Sequence, residues 1–246
     1  MKDIVKKSKK ISKIEIEEIY RDTLENHSPI LAYYFYRKIS FPISLWLSIH
    51  TCITPNQITI FKFVFVILAT VLIISGKYSV FILAVFFIFL SMLADFIDGE
   101  LARLKKMETK FGKWLDGNTD MYEQIFLYFG LALGYYHQSG NIDALFLLSI
   151  LLASRFFLNF IRITTQLIFD PSIFIEIGTS NFYRVGKWLR IKPNFLAFSD
   201  DIKYLIFSVG ILVNQLRYTM ILFIIIHFTI WFLVVKKIVK KEIFNY

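Results

Sequence analysis

The sequence predicts an all-α integral membrane protein with six transmembrane helices, preceded by an N-terminal interfacial helix. Hydrophobic residues make up 56% of the 246 residues, and the mean hydropathy is +0.57, which is typical of a chain whose surface faces lipid. Most lysines and arginines stand at the ends of apolar runs. The net charge of +9 therefore favours an anionic membrane surface, and we expect no nucleic-acid partner.

The N-terminal segment differs from the rest of the chain. Residues 1–26 are polar and basic, lack the features of a signal peptide, and are predicted to be a cytosolic tail. Residues 31–51 are rich in aromatic side chains, but Arg37, Lys38 and Pro42 interrupt the apolar run. This pattern favours a helix lying in the membrane interface over a first spanning helix.

This difference predicts that the chain consists of an N-terminal segment and one membrane domain. Residues 1–53 form the tail and juxtamembrane segment, and residues 54–246 form one six-helix domain. Its first helix has a clear start signal, because Thr54 can cap it, Pro55 suits the first helical position, and Gln57 completes a capping box. The predicted spans cover about 58–75, 79–102, 112–136, 142–168, 200–216 and 218–235.

The charges of the loops predict the orientation of these spans. If both termini are cytosolic, only Lys77 and Arg217 of the 28 lysines and arginines fall on the outer side. The basic loop at 103–113 then faces the cytosol. The second span ends, and the third begins, at this loop, so acidic residues near those ends should meet at one depth.

Four aspartates around this loop are the strongest signal of function. Asp95 and Asp98 are three residues apart, and Asp116 and Asp120 are four apart, so each pair lies on one helical face. Carboxylates between hydrophobic runs need a compensating partner. Oxygen ligands of this kind suit Mg²⁺ or Mn²⁺ together with substrate phosphates, and a two-metal site would support phosphoryl transfer.

Other residues of the same stretch fit a phosphate-bearing substrate. Gly99 and Gly112 share the faces of the carboxylates and would let a ligand approach the backbone closely. Arg103 follows the first pair by one to two turns, and its planar guanidinium could hold a diphosphate through two hydrogen bonds.

The order of these residues resembles the signature of the CDP-alcohol phosphatidyltransferase family. The pattern D-x2-D-G-x2-A-R-x8-G-x3-D-x3-D is met at every fixed position: Asp95, Asp98, Gly99, Ala102, Arg103, Gly112, Asp116 and Asp120. The resemblance implies a membrane enzyme of phospholipid biosynthesis. It would move a substituted phosphate from a CDP-alcohol donor to a hydroxyl acceptor and release CMP.

The resemblance also implies roles for single residues. Asp95 and Asp116 would contact both metals, Asp98 the first metal and Asp120 the second, with Asp120 also serving as general base. Gly99, Arg103 and Thr109 would face the CDP moiety. Family members carry a Pro-polar-x-x-Thr segment along the nucleotide pocket, which assigns Asn56 and Thr59 to CDP as well. We also expect the enzyme to be a homodimer that works with membrane lipid.

The acceptor stays open at this point. Arg155 and Arg162 lie seven residues apart on one face of the fourth span, and intramembrane arginines commonly face a site. We expect Arg155 to contact a phosphate of the acceptor or donor. Inositol-type members of the family commonly carry Arg after the last aspartate, whereas Met121 follows Asp120 here, so glycerol phosphate, serine and inositol acceptors all remain possible.

Two other function classes are compatible with acidic membrane helices. A membrane prenyltransferase also binds diphosphate through aspartates, but the Gly-x-x-Ala-Arg element and the single compact motif count against it. A cation transporter would be expected to carry two matching acidic segments in inverted halves. The sequence contains one such cluster.

Overall fold

A computed structural model describes residues 13–26, 32–168 and 200–244, and this part of the chain contains helices and no strand. A π-helical turn at Ala32–Tyr36 leads directly into the second α-helix, and a 3-10 turn at Tyr78–Val80 precedes the fourth. The α-helices within these three ranges are α1 (Lys13–Asn26), α2 (Arg37–His50), α3 (Pro55–Ile74), α4 (Phe81–Leu104), α5 (Lys110–Ser139), α6 (Asp143–Ile168), α7 (Asp200–Leu212) and α8 (Leu216–Phe244).

Among the residues that the structure describes, four segments are long and apolar enough to cross a membrane, by length and composition. They are Pro55–Ile74, Tyr78–Leu104, Asp143–Thr165 and Leu216–Lys240, in agreement with four of the six predicted spans. Helix α5 has a polar first half, and α7 has only 13 residues, or about 20 Å at the helical rise. The protein is therefore a helical membrane protein, and the count of six spans stays a prediction.

The chain divides into two compact units, which are described separately. The first unit comprises the described residues of Met1–Ile67 and Phe87–Glu123. Its core is formed where α3 packs against α4, through Ile58, Leu93, Ala94, Ile97 and Leu101, with Ile39 and Leu47 of α2 against it. This packing holds the second half of α4, which carries the first aspartate pair.

A buried polar network joins α2 to α4 within the first unit. The carboxylate of Glu100 is fully buried and accepts hydrogen bonds from Arg37 at 2.8 Å, Ser40 at 2.8 Å and Ser44 at 2.7 Å. The Arg37 guanidinium also lies over the Phe96 ring, 4.5 Å from its centroid. Arg37 is thus buried and paired with Glu100, and its side chain does not extend to the membrane surface. The interfacial position of α2 stays a prediction.

The second unit comprises the described residues of Leu68–Phe86 and Gln124–Tyr246. Helix α8 packs along α6, and His227 of α8 is buried between the hydroxyls of Tyr128 and Ser154. A Cβ atom at Gly134 would lie 2.4 Å from the Ile73 carbonyl oxygen. Only glycine lets α5 approach the end of α3 this closely.

Candidate functional site

The motif occupies the end of α4 and the beginning of α5, both within the first unit. Asp95 and Asp98 lie in α4, and Asp116 and Asp120 lie in α5, so both pairs stand on helices, as their spacing predicts. One carboxylate oxygen from each of Asp95, Asp116 and Asp120 lies within 4.8 Å of the others. Three aspartates from two helices therefore converge on one point.

The fourth aspartate is held differently. Asp98 is buried, and its Oδ2 accepts a hydrogen bond of 2.8 Å from the hydroxyl of Thr59. The structure thus gives Thr59 a role in orienting Asp98, and its predicted contact with CDP stays a prediction. This contact brings α3, which carries the predicted nucleotide segment, directly against the aspartate motif.

Lys62 of α3 lies at the point where the three aspartates converge. Its Nζ atom donates hydrogen bonds to Asp95 Oδ1 at 2.8 Å, Asp116 Oδ1 at 2.8 Å and Asp120 Oδ1 at 2.6 Å. The lysine side chain is 1% exposed, whereas the three aspartates are 29, 42 and 37% exposed. The ammonium thus closes the inner side of the cluster, and the carboxylates face the accessible side.

A fifth carboxylate stands behind the cluster. Glu123 follows Asp120 by about one turn of α5, is 1% exposed, and places Oε1 3.9 Å from Lys62 Nζ. With all five carboxylates ionised, the group carries a net formal charge of four negative after Lys62 is counted. Two divalent cations would balance that charge.

The donor set fits Mg²⁺ or Mn²⁺. Carboxylate oxygens are the ligands these hard cations prefer, at about 2.0 to 2.1 Å for Mg²⁺. Three such oxygens already surround the Nζ atom of Lys62, at distances of 2.6 to 2.8 Å. A small contraction would bring them to ligating distance, provided that the ammonium gives way.

The start of α3 lies close to the start of α5. Thr54 and Gln57 form the predicted capping box, with bonds of 2.8 and 3.4 Å, and α3 begins at Pro55. A Cβ atom at Gly112 would lie 3.3 Å from Asn56 Oδ1 and 3.2 Å from Thr109 Oγ1. Three residues that the sequence assigns to the donor or the motif, Asn56, Thr109 and Gly112, are therefore neighbours.

Thr109 has a local structural role in addition to its predicted one. Its hydroxyl oxygen accepts a hydrogen bond of 2.9 Å from the backbone N–H of Gly112, which caps the first turn of α5. This cap fixes the backbone from which Asp116 and Asp120 project. The hydroxyl oxygen accepts this one hydrogen bond from the helix. Because Thr109 is exposed, its hydroxyl can also contact a ligand.

Arg103 and Gly99 lie together on one face of α4. A Cβ atom at Gly99 would lie 3.7 Å from a terminal nitrogen of the Arg103 guanidinium. Arg103 lines a cavity of about 520 Å³, and its Nε has no hydrogen-bond partner among the described residues. The other lining residues are Glu15, Glu18, Ile19, Asp22, Lys106 and Glu108. Arg103, which is predicted to bind the diphosphate, therefore shares its cavity with four carboxylates. The sequence did not indicate this environment.

The loop between α2 and α3 is fastened to the end of α4. Lys105 Nζ donates to the carbonyl oxygens of Thr51 at 2.8 Å and Ile53 at 2.7 Å. Burial lowers the pKa of Lys105. The contacts place Cys52, which is exposed, beside the motif loop.

Arg155 belongs to the second unit. It lies in α6 next to Ser154 and is half-buried, whereas Arg162 is exposed. The predicted contact of Arg155 with a substrate phosphate stays a prediction.

The fold and the site define the class of protein: a helical membrane protein with an oxygen-rich site suited to divalent cations. The family model for CDP-alcohol phosphatidyltransferase matches residues 52–231, which is most of the chain and includes all four motif aspartates and Lys62. The protein belongs to the CDP-alcohol phosphatidyltransferase family, whose members are transferases and in general metal-dependent. No curated protein matches the chain.

Proposed function

We propose that the protein transfers a substituted phosphate from a CDP-alcohol to a hydroxyl acceptor and releases CMP, in phospholipid biosynthesis. The observation that carries this proposal is the convergence of Asp95, Asp116 and Asp120 on one point, from two helices of the family-matched segment. The family match favours this chemistry over a prenyltransferase or a cation transporter.

The aspartates would divide the work of holding Mg²⁺ or Mn²⁺. Asp95 and Asp116 would contact both ions, Asp98 the first and Asp120 the second. Bound cations would neutralise charge on the diphosphate and stabilise both the entering and the leaving oxygen. Asp98 is already oriented by Thr59, so its carboxylate costs little reorganisation on metal binding.

The chemical step needs a proton acceptor. The acceptor hydroxyl oxygen forms a bond to the phosphorus that bears the donated alcohol, and the bond from that phosphorus to the CMP oxygen breaks. The hydroxyl proton goes to Asp120. This carboxylate is 37% exposed on the accessible side of the cluster, where an acceptor can reach it.

The nucleotide would lie near the starts of α3 and α5. Asn56 and Thr109 flank Gly112, where a Cβ atom would come within 3.3 Å of both side chains, so glycine lets these two polar groups stand together at the start of α5. Gly99 and Arg103 would hold the diphosphate. Thr59 would act through Asp98, and Arg155 would contact a phosphate of the acceptor or donor.

The experiment is a screen of CMP release by the purified protein in detergent. The donors would be CDP-diacylglycerol and soluble CDP-alcohols, and the acceptors would be glycerol phosphate, serine, inositol and inositol phosphate. We expect one pair to give CMP in a Mg²⁺- or Mn²⁺-dependent reaction. Release of pyrophosphate from a prenyl diphosphate, with no CMP from any donor, would refute the proposal in favour of the prenyltransferase.

The remaining parts of the proposal concern assembly and placement. We propose six transmembrane helices, cytosolic termini, a site on the cytosolic side, and a homodimer. The loop charges support the orientation.

A further inference from the structure

Lys62 and a divalent cation would compete for the same three oxygens. The ammonium lies 2.6 to 2.8 Å from Asp95, Asp116 and Asp120, and a Mg²⁺ ion bound by them would need distances of about 2.0 to 2.1 Å. Two cations cannot occupy one point. Metal binding at these oxygens therefore requires Lys62 to move.

The structure offers Lys62 a second position. A buried ammonium needs a carboxylate partner, because an uncompensated charge in this environment is costly. Glu123 is as buried as Lys62, at 1% exposure, and its Oε1 is 3.9 Å from Nζ. A shift of about 1 Å would already bring Nζ into hydrogen-bond range of Glu123, and the flexible lysine stem lets the ammonium withdraw further on that side, away from the three aspartates.

We propose that Lys62 is a displaceable counter-ion of the acidic cluster. Without metal, its ammonium holds Asp95, Asp116 and Asp120 together against their mutual repulsion. When a divalent cation takes those oxygens, the ammonium moves to Glu123. Lys62 thereby keeps the metal-free site assembled and sets the metal concentration at which the site fills. The inference rests on the metal-binding part of the proposed function and not on the identity of the substrates.

The first test measures Mn²⁺ binding directly. Titration followed by the electron paramagnetic resonance of free Mn²⁺ gives affinity and stoichiometry without any activity assay. Lys62→Met removes the competing cation, so we expect Mn²⁺ to bind roughly tenfold more tightly. The metal-free variant should also unfold at a lower temperature, with Mn²⁺ restoring more stability than in the wild type. Lys38→Met, an equal loss of charge at an exposed position of α2, is the matched control and should leave binding unchanged.

The second test asks whether Glu123 is the place to which Lys62 moves. Glu123→Gln has nearly the same shape and removes the second partner, so Mn²⁺ should bind roughly tenfold more weakly while Lys62 is present. In the Lys62→Met background the same change should have little effect. If Lys62→Met does not fold, Lys62→Gln takes its place in the cycle.

Several outcomes would overturn the inference. Unchanged or weaker Mn²⁺ binding in the Lys62 variants would show that the ammonium does not compete. An equal effect of Glu123→Gln in both backgrounds would make Glu123 a metal ligand. One additional Mn²⁺ bound at unchanged affinity would mean that Lys62 permanently replaces a metal. A protein that shows the expected coupling but releases no CMP would keep this inference and lose the proposed transferase activity.

Discussion

Asp120 accepts a hydrogen bond from Lys62 through Oδ1, and its proposed roles as metal ligand and base can be separated by substitution. Asp120→Asn keeps the shape and one oxygen but removes the proton acceptor, so CMP release should fall roughly 10² to 10⁴-fold while donor binding survives. Asp95→Asn should weaken donor binding itself, because a carboxylate that bridges both metals supports the diphosphate. Donor titration and CMP release, measured on both variants, check this.

Two results with these variants would contradict the assignment of Asp120 as the general base. Near wild-type turnover by Asp120→Asn would place the base elsewhere. Loss of donor binding as complete as in Asp95→Asn would reduce Asp120 to a metal ligand.

Arg103 provides a test of the predicted diphosphate contact. Arg103→Lys keeps the charge but cannot reproduce a planar two-bond contact, so CDP-alcohol affinity should fall while Mn²⁺ affinity stays the same. Lys106→Arg, in the same cavity, is the control and should change neither. Donor affinity unaffected by Arg103→Lys would show that the guanidinium serves the acidic residues around it instead.

The sequence predicts the aspartates at the residue scale but not their partners. Spacing within one helix reveals which carboxylates share a face, which is why both aspartate pairs could be found. Lys62 and Glu123 come from different helices, and their meeting depends on packing. Lys62 was not predicted: a lone lysine within the apolar run of α3 is a signal of a buried partner, but the sequence does not say which one.

At the scale of the helix, two of the four glycines of α5, Gly117 and Gly134, have opposite environments. Gly134→Ala would place a Cβ 2.4 Å from the Ile73 carbonyl oxygen, whereas Gly117 has open space around its Cα. We expect Gly134→Ala to destabilise by about 1 to 3 kcal/mol and Gly117→Ala to stabilise by about 0.5 to 1 kcal/mol. Thermal unfolding in detergent measures both. Equal melting temperatures for the two variants would contradict the close approach of α5 to α3.

Helix starts were predicted better than helix ends. The capping box located the start of α3, because side chains and backbone act together there. The predicted fifth span, 200–216, is too long: α7 ends at Leu212. Asn214 adopts a φ of +57°, and the Gln215 N–H bonds back to the Gly210 carbonyl at 2.8 Å, which closes the helix in a way that hydropathy does not reveal.

For the whole molecule, the native cysteine offers a test of orientation. Cys52 is the only cysteine in the sequence, it is exposed, and Lys105 fastens its loop to the end of α4. An impermeant maleimide should therefore label Cys52 in inverted vesicles and not in intact cells. In a Cys52→Ser background, a cysteine replacing the exposed Lys77 should show the reverse pattern. Labelling of Cys52 from outside the cell would invert the proposed topology and the cytosolic site with it.

The fold class and the family follow from sequence at this scale, because hydropathy and a fixed-gap motif are both local properties. The number of spans does not. Helix α5 begins with the charged motif, so its composition cannot distinguish a spanning helix from one that is only partly immersed.

The Glu100 network indicates which N-terminal residues the folded protein needs. The family-matched segment starts at residue 52, but Arg37, Ser40 and Ser44, which bind Glu100 beside the motif, all precede it. A shortened chain starting at residue 52 would lose those three donors and uncover this carboxylate, so we expect it to be less stable than the full chain. The segment that matches the family is therefore shorter than the segment in which Glu100 keeps its hydrogen-bond partners, because the second of these includes α2.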